Sequence, residues 1–248
     1  EAYQTGEKEL GIVDEREFWT LAVGRDLTNP PRYAEDFLGS KLMQNWEDAL
    51  RDGMDADAAQ LNLAYVSADP EIYSWFYRDR VGEDTDLRNL PLTAYLINLG
   101  MTSMNAPLDV RILDTVGLAT PIAARMPRDP NGRVGHDKFL DPVWQAADAD
   151  TDLDGLPQFI STLRAKQARA ALRSPEIAEL LATSREPMSW QRFWKNVRYS
   201  VGEGRTLQLS SDPGVYIDAD TRRAIRRGED PGLHGERIAW PVEGHAGE

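Results

Sequence analysis

The sequence predicts an α/β fold: a mixed sheet with helices packed on it, followed by a β-rich C-terminal extension. Three observations predict it. The run 61–66 (Leu-Asn-Leu-Ala-Tyr-Val) alternates, and the apolar runs 92–99 and 109–114 are bounded by Pro and Gly, so all three read as strands. Helical patterns lie between and after them, the order expected when helices cover a sheet. The 248 residues are 41% hydrophobic and include seven Trp, which supplies a sizeable core.

In chain order, the spacing predicts a helix over 33–52, with Leu38, Leu42, Trp46 and Leu50 at four-residue steps. After the strand at 61–66, Asp69-Pro70-Glu71 reads as an N-cap, a Pro at the first helical position and an early acid. That predicts a helix over 70–79 with Tyr73, Trp75, Phe76 and Tyr77 crowded onto two turns. Residues 80–90 read as a charged loop. Helices are expected over 157–172 and, behind Ser174-Pro175, over 175–184. The stretches 193–201, 205–210 and 214–218 look β-like. A short helix carrying Arg222, Arg223, Arg226 and Arg227 follows, either as a solvated face or one turned to anionic headgroups. A break at 185–190 divides a main domain, 1–185, from an extension, 186–248, packed on it.

Composition excludes much. A net charge of −13 and a pI near 4.8 argue against a nucleic-acid partner, since phosphate neutralisation needs a basic surface. The absence of Cys removes disulfides, thiolate metal sites and Cys nucleophiles. No window approaches 18 apolar residues, so nothing here spans a bilayer as a helix. The polar start Glu1-Ala2-Tyr3-Gln4 is no signal peptide and reads as a piece cut from something longer. Phosphate-loop, dinucleotide, zincin and nucleophile-elbow motifs are missing, and the three His, at 136, 234 and 245, lie far apart.

One acidic cluster matches the opening of a calcium loop: Asp150-Thr151-Asp152-Leu153-Asp154-Gly155. Oxygens of Asp150, Asp152 and Asp154 at alternate positions could converge on Ca2+. Position twelve is Ser161 rather than a bidentate Glu, and a solvated acidic turn is the competing reading.

Residues 100–140 are the densest in special residue types. Asp114 ends a strand, where open α/β sheets build sites. Arg125, His136, Asp137 and Lys138 follow in Gly-pinned loops and offer hydrogen-bonding groups to an anion or a sugar. The competing reading is structural: Asp114 caps the next turn and pairs with Arg125, while His136 orders its loop.

The pattern V-x-x-L-D-T-x-G-L-x-x-P-x-x-A-R at 110–125, followed by G-R-x-G-H-D-K at 132–138, resembles a known family. It is similar to the extracytoplasmic C-terminal domain of actinobacterial, polyprenyl-phosphate-dependent membrane arabinofuranosyltransferases, of the terminal β-(1→2) type. Gly11-Ile12-Val13-Asp14-Glu15-Arg16 also resembles the segment following that family's last membrane helix. The resemblance covers about 11–140. It implies a donor, decaprenyl-phosphoryl-arabinose, and an acceptor, the arabinan of arabinogalactan or lipoarabinomannan. It also implies a transmembrane region outside this chain, attachment at the extracytoplasmic face, and a catalytic carboxylate lying in that other part. No catalytic residue is therefore carried over. The expected role of the chain is acceptor recognition or closure of the active site. The acceptor-contacting candidates are Tyr73, Trp75 and Tyr77, with Asp114, Arg125, His136, Asp137 and Lys138. A non-catalytic carbohydrate-binding or calcium-stabilised module is the alternative.

Overall fold

The computed structural model describes residues 15–81, 91–133 and 135–229. Thus 82–90, most of the expected loop, lie outside them, as do His234, His245 and the segment 11–14. Helix α1 (Arg16–Ala22) and two 3-10 turns (Ala34–Phe37 and Lys41–Met43) lead into α2 (Trp46–Asp55). Strands β1 (Gln60–Ala68) and β2 (Glu71–Arg78) form a hairpin. Then come β3 (Thr93–Tyr95), α3 (Leu99–Ser103), β4 (Arg111–Leu113), α4 (Pro121–Ala124), α5 (Pro142–Asp148), α6 (Thr162–Ala171) and α7 (Pro175–Arg185). The remainder is α8 (Trp190–Val201), α9 (Glu203–Thr206), a 3-10 turn (Pro213–Tyr216) and α10 (Ala219–Arg226).

The sheet order is β2-β1-β3-β4, antiparallel between β1 and β2 and parallel elsewhere. It is the mixed sheet expected. Its parallel half is buried on both faces, and successive residues show it. Ala94 and Leu96 join a cluster with Met43, Trp46, Leu50, Leu61 and Trp75, whereas Tyr95 and Leu113 join one with Val143, Trp144, Ala168, Ile177 and Leu181. One apolar core therefore lies under α2 and the 3-10 turns, the other under α5 to α7. Among the described residues, three fully buried Trp each bring their indole N–H to a carbonyl: Trp46 to Asn105, Trp75 to Leu42 and Trp144 to Ser211.

Three expectations need correction. Residues 70–79 are not a helix. Asp69 and Pro70 make the hairpin turn, and the aromatics obey the period of two, with Tyr73, Trp75 and Tyr77 on one face. The helix expected over 33–52 begins only at Trp46, because Asn45 takes a positive φ of 52°. Its side chain instead holds both sides of the Trp75 peptide, donating to the carbonyl and accepting from the amide, each at 2.8 Å. The C-terminal extension, as far as residue 229, is helical rather than β-rich. Its aromatic and β-branched residues suggested strands, but Trp190, Phe193, Trp194, Val197 and Val201 step by three and four, and Ser189 caps the helix. Leu209, Ile217 and Ile225 from this stretch enter the same core as α5 to α7.

Candidate functional site

Asp114 follows the last residue of β4 and is fully buried. Its carboxylate accepts the backbone amides of Val116 (2.9 Å), Leu118 (2.8 Å), Ala119 (2.7 Å) and Thr120 (3.0 Å), and that of Gly117 as well. The Thr120 hydroxyl closes the turn on Asp114's own carbonyl at 2.6 Å. Burial opposes ionisation, but the amides of Ala119, Leu118, Gly117 and Val116 outweigh it and hold the carboxyl below its ordinary range. A carboxylate so saturated is a fastening, not a base. Gly117 is required there: its φ is +96°, and a Cβ would stand 2.4 Å from Ala124 Cα.

The segment 135–140 returns to this turn. Leu140 donates its amide to Thr115 O at 2.8 Å, and Lys138 Nζ donates to Ala124 O, at the C-terminus of α4, at 2.8 Å. Asp137 lies 3.4 Å from Arg128 Nε, and its carbonyl accepts from the Asp129 amide. Lys138 and Asp137 thus fasten the loop. His136 is exposed on it, and Arg125 is half-buried with its carbonyl taken by the Leu209 amide. The structure therefore brings the two halves of the motif together. Of the competing structural reading, the cap by Asp114 on the next turn is found, and the amide cage takes the place of its Asp114–Arg125 pair.

On the face of the sheet covered by α5 to α7 lies a charge cluster that the sequence reading missed. Arg185 Nη2 donates to both Asp148 carboxylate oxygens at 2.7 and 2.8 Å, and the Tyr95 hydroxyl donates at 2.7 Å. Arg111 stands 3.3 Å from the same carboxylate, donates to Asp148 O and reaches Thr93 Oγ1. Burial works against ionised Asp148, yet Arg111, Arg185 and the Tyr95 hydroxyl hold its carboxyl far below the usual range. Burial, then Asp148, push the Tyr95 phenol well above its own. These groups tie β3 and β4 to α5 and α7. The one local clue was a cation, Arg111, inside an apolar strand, which demands a buried counter-charge.

The three acids of the expected calcium loop are not gathered. Residues 150–152 run as a strap bonded to 79–81, with Val81 donating to Asp150 O and Asp152 to Asp79 O. Asp150 turns inward, 3.9 Å from the buried Arg169 Nε, while Asp152 accepts the amide of Asp154, which faces solvent. Among the described residues no three His, Cys, Asp or Glu are grouped to hold a metal. The donor set as arranged does not fit a calcium ion.

Of the aromatic candidates, Trp75 is core, 2% exposed and packed edge-on to Trp46, so it offers no sugar a surface. Tyr77 is exposed. Tyr73 is half-buried, its hydroxyl on Glu71, and its ring lies 5.3 Å from that of exposed Tyr65. This pair sits where the hairpin projects, since β1 meets β3 only at Gln60 and Leu61. Tyr65 and the periodicity that would have found it were hidden by reading 70–79 as a helix. In the Arg-rich helix, Arg222 donates to Gly214 O and Ile217 O, while Arg223 and Arg227 pair with Asp220 and Glu229.

Residues 39–219 match the family model described as the AftB family C-terminal domain. This chain belongs to that family. The protein of Corynebacterium glutamicum named terminal beta-(1->2)-arabinofuranosyltransferase is 45% identical over 94% of this chain and 34% of its own length. The Mycobacterium tuberculosis protein of the same name is 34% identical over 77% of this chain and 30% of its own. The chain thus spans about a third of these relatives. No solved structure matches it. The motif at 110–138 that suggested the family lies inside the matched region, and the family domain continues through α5 to α9, where no resemblance was read.

Proposed function

We propose that this chain is the extracytoplasmic domain of a membrane glycosyltransferase that adds arabinofuranose from decaprenyl-phosphoryl-arabinose to cell-wall arabinan. Its part is to receive the acceptor and help close the active site, while the reacting groups lie in the rest of the enzyme. The reading is carried by the 45% identity, over nearly the whole chain, to a named arabinofuranosyltransferase three times as long. The interior supports the division of labour, since buried Asp114 and Asp148 are spent on amides and on Arg111, Arg185 and Tyr95. The groups at the surface that would meet a neutral sugar are Tyr65, Tyr73 and Tyr77 on the hairpin and His136 on the returning loop. Aromatic faces cover sugar C–H surfaces, and imidazole bonds hydroxyls. Asp114, Asp137, Lys138 and Trp75 hold these elements in place.

Titrating the isotope-labelled chain with short arabinofuranose oligomers tests the reading by NMR. Shifts are expected at 65–77 and 136–139, with millimolar affinity, about −4 kcal/mol, because the rest of the site is elsewhere. No shift at high millimolar ligand would overturn acceptor contact. Given polyprenyl-phosphoryl-arabinose and an arabinan, the chain alone is expected to form no product; turnover would place the reacting groups within it.

A further inference from the structure

Helix α8 is amphipathic the wrong way round for a helix that buries its apolar side. Toward the body of the protein it presents Arg192, Asn196 and Tyr199. Arg192, with its side chain only 3% exposed, donates to Glu179 at 2.7 Å and Glu186 at 2.9 Å, and Asn196 donates to Thr183 O at 3.0 Å. Toward solvent, on the opposite arc, it presents Trp190, Phe193, Trp194 and Val201, with half-buried Val197 between them. Trp190 is 75% exposed and Val201 72%, and Met188 just before the helix is 66% exposed. The helix normally found on a protein surface turns such a stripe inward. Here ion pairs hold the polar side in place, so the aromatic side is left outward by construction.

We propose that this outward face of α8 seats in the headgroup region of a phospholipid bilayer. Two Trp and a Phe on one arc are the residue types that gather at that depth, since an indole has an apolar body and one N–H for the wet side. The rings are already packed on one another, with centroids 5.3 to 5.6 Å apart, so little side-chain freedom is lost on insertion. Arg198, one turn from Trp194, and Arg205 beyond the helix are exposed cations suited to lipid phosphates. Of the nearby acids, Glu179 is engaged by Arg192 and Lys195 and Glu186 by Arg192, leaving Glu203 exposed. A chain of net charge −13 is repelled by an anionic surface as a whole, so the aromatic arc has to carry the attachment. Among the described residues no helix is long and apolar enough to cross a membrane, and a helix lying in the interface needs no such length.

The proposal does not rest on the sugar reading, and its test contains no sugar, so either can fail alone. The chain is mixed with phosphatidylcholine vesicles containing about one-third phosphatidylglycerol, floated on a density gradient, and compared with the W190S/W194S variant. The parent chain is expected to float and the variant to partition at least about tenfold less, with helix content retained and a thermal midpoint lowered by no more than about 4 °C. Should the variant fail to fold, bromine-labelled phosphatidylcholine reads the parent directly: its Trp emission is expected to be quenched. Absence of both flotation and quenching overturns the proposal, as does equal flotation of the two folded proteins. Concentration-dependent self-association lost in the variant, without flotation, overturns it in favour of a second copy of the chain.

Discussion

The turn after β4 and the outer face of α8 handle unfavourable groups in opposite ways. At the turn a charge is taken out of water and every lone pair is met from within. On α8, apolar rings are left in water while the charges beneath them are met. Burying Asp114 costs little once the amides of 116–120 surround it, but it leaves the carboxylate nothing to offer a ligand. The rings of Trp190, Phe193 and Trp194 pack on one another and remain 42–75% exposed. The surface this domain offers a partner is therefore exposed aromatic side chains, on α8 and near the hairpin turn, rather than its buried acids.

The contrast is broken most severely at Asp148. Asp148→Ala strands Arg111 and Arg185 without their shared counter-charge, and is expected to cost about 3–5 kcal/mol in urea unfolding. Asp114→Ala leaves the amides of 116–120 facing an empty turn, an expected loss of about 2–4 kcal/mol.

The same carboxylate gives a pH signature. Its folded pKa lies below the unfolded one, so its stabilisation is complete above about pH 4 and disappears as pH falls through the folded value. The stability gap between the parent and Asp114→Asn is therefore expected to be widest above pH 4 and to shrink below it, read as thermal midpoints. If the gap grows on acidification, the cage does not favour the ionised form.

On α8 the expectation reverses. W190S/W194S should change stability by no more than about 1 kcal/mol, because Trp190 is 75% exposed and Trp194 45% exposed. A loss of several kcal/mol would mean that this face is covered in the free chain. The smallest effect is at Asp150, Asp152 and Asp154, where exchanging millimolar calcium for chelator is expected to leave the melting temperature unchanged. A rise with calcium would show that the strap rearranges to gather them.

What could be read in the sequence follows from how local each signal is. The helices at α6 and α7 were legible because Ser174-Pro175 and the apolar spacing act within a few residues. Asp114 and Gly117 were legible as a special turn for the same reason. Misreading came where short aromatic runs fit both periods. Glu71–Arg78 carries five apolar residues in eight and lies in the stretch 70–79 that reads as a helix, whereas 193–201, inside helix Trp190–Val201, reads as a strand. Neither run decides its own period without the partner it packs against. The Asp148 cluster could not be read at all: its members come from 95, 111, 148 and 185 and meet only after the sheet and helices assemble. In the candidate site, the motif at 110–138 identified the family, but the residue types could not reveal that Asp114 and Lys138 are consumed by the backbone.

Asn45 has a consequence for the company this domain keeps. β2 is one of the two outer strands of the sheet, and an outer strand ordinarily displays a free row of amides and carbonyls on which a strand of another molecule can build. By occupying both groups of Trp75, the Asn45 carboxamide stands in for the first rung of such a ladder, and a visiting strand would have to evict it. At this rung the edge is thereby shielded from the commonest route to fibrous self-assembly.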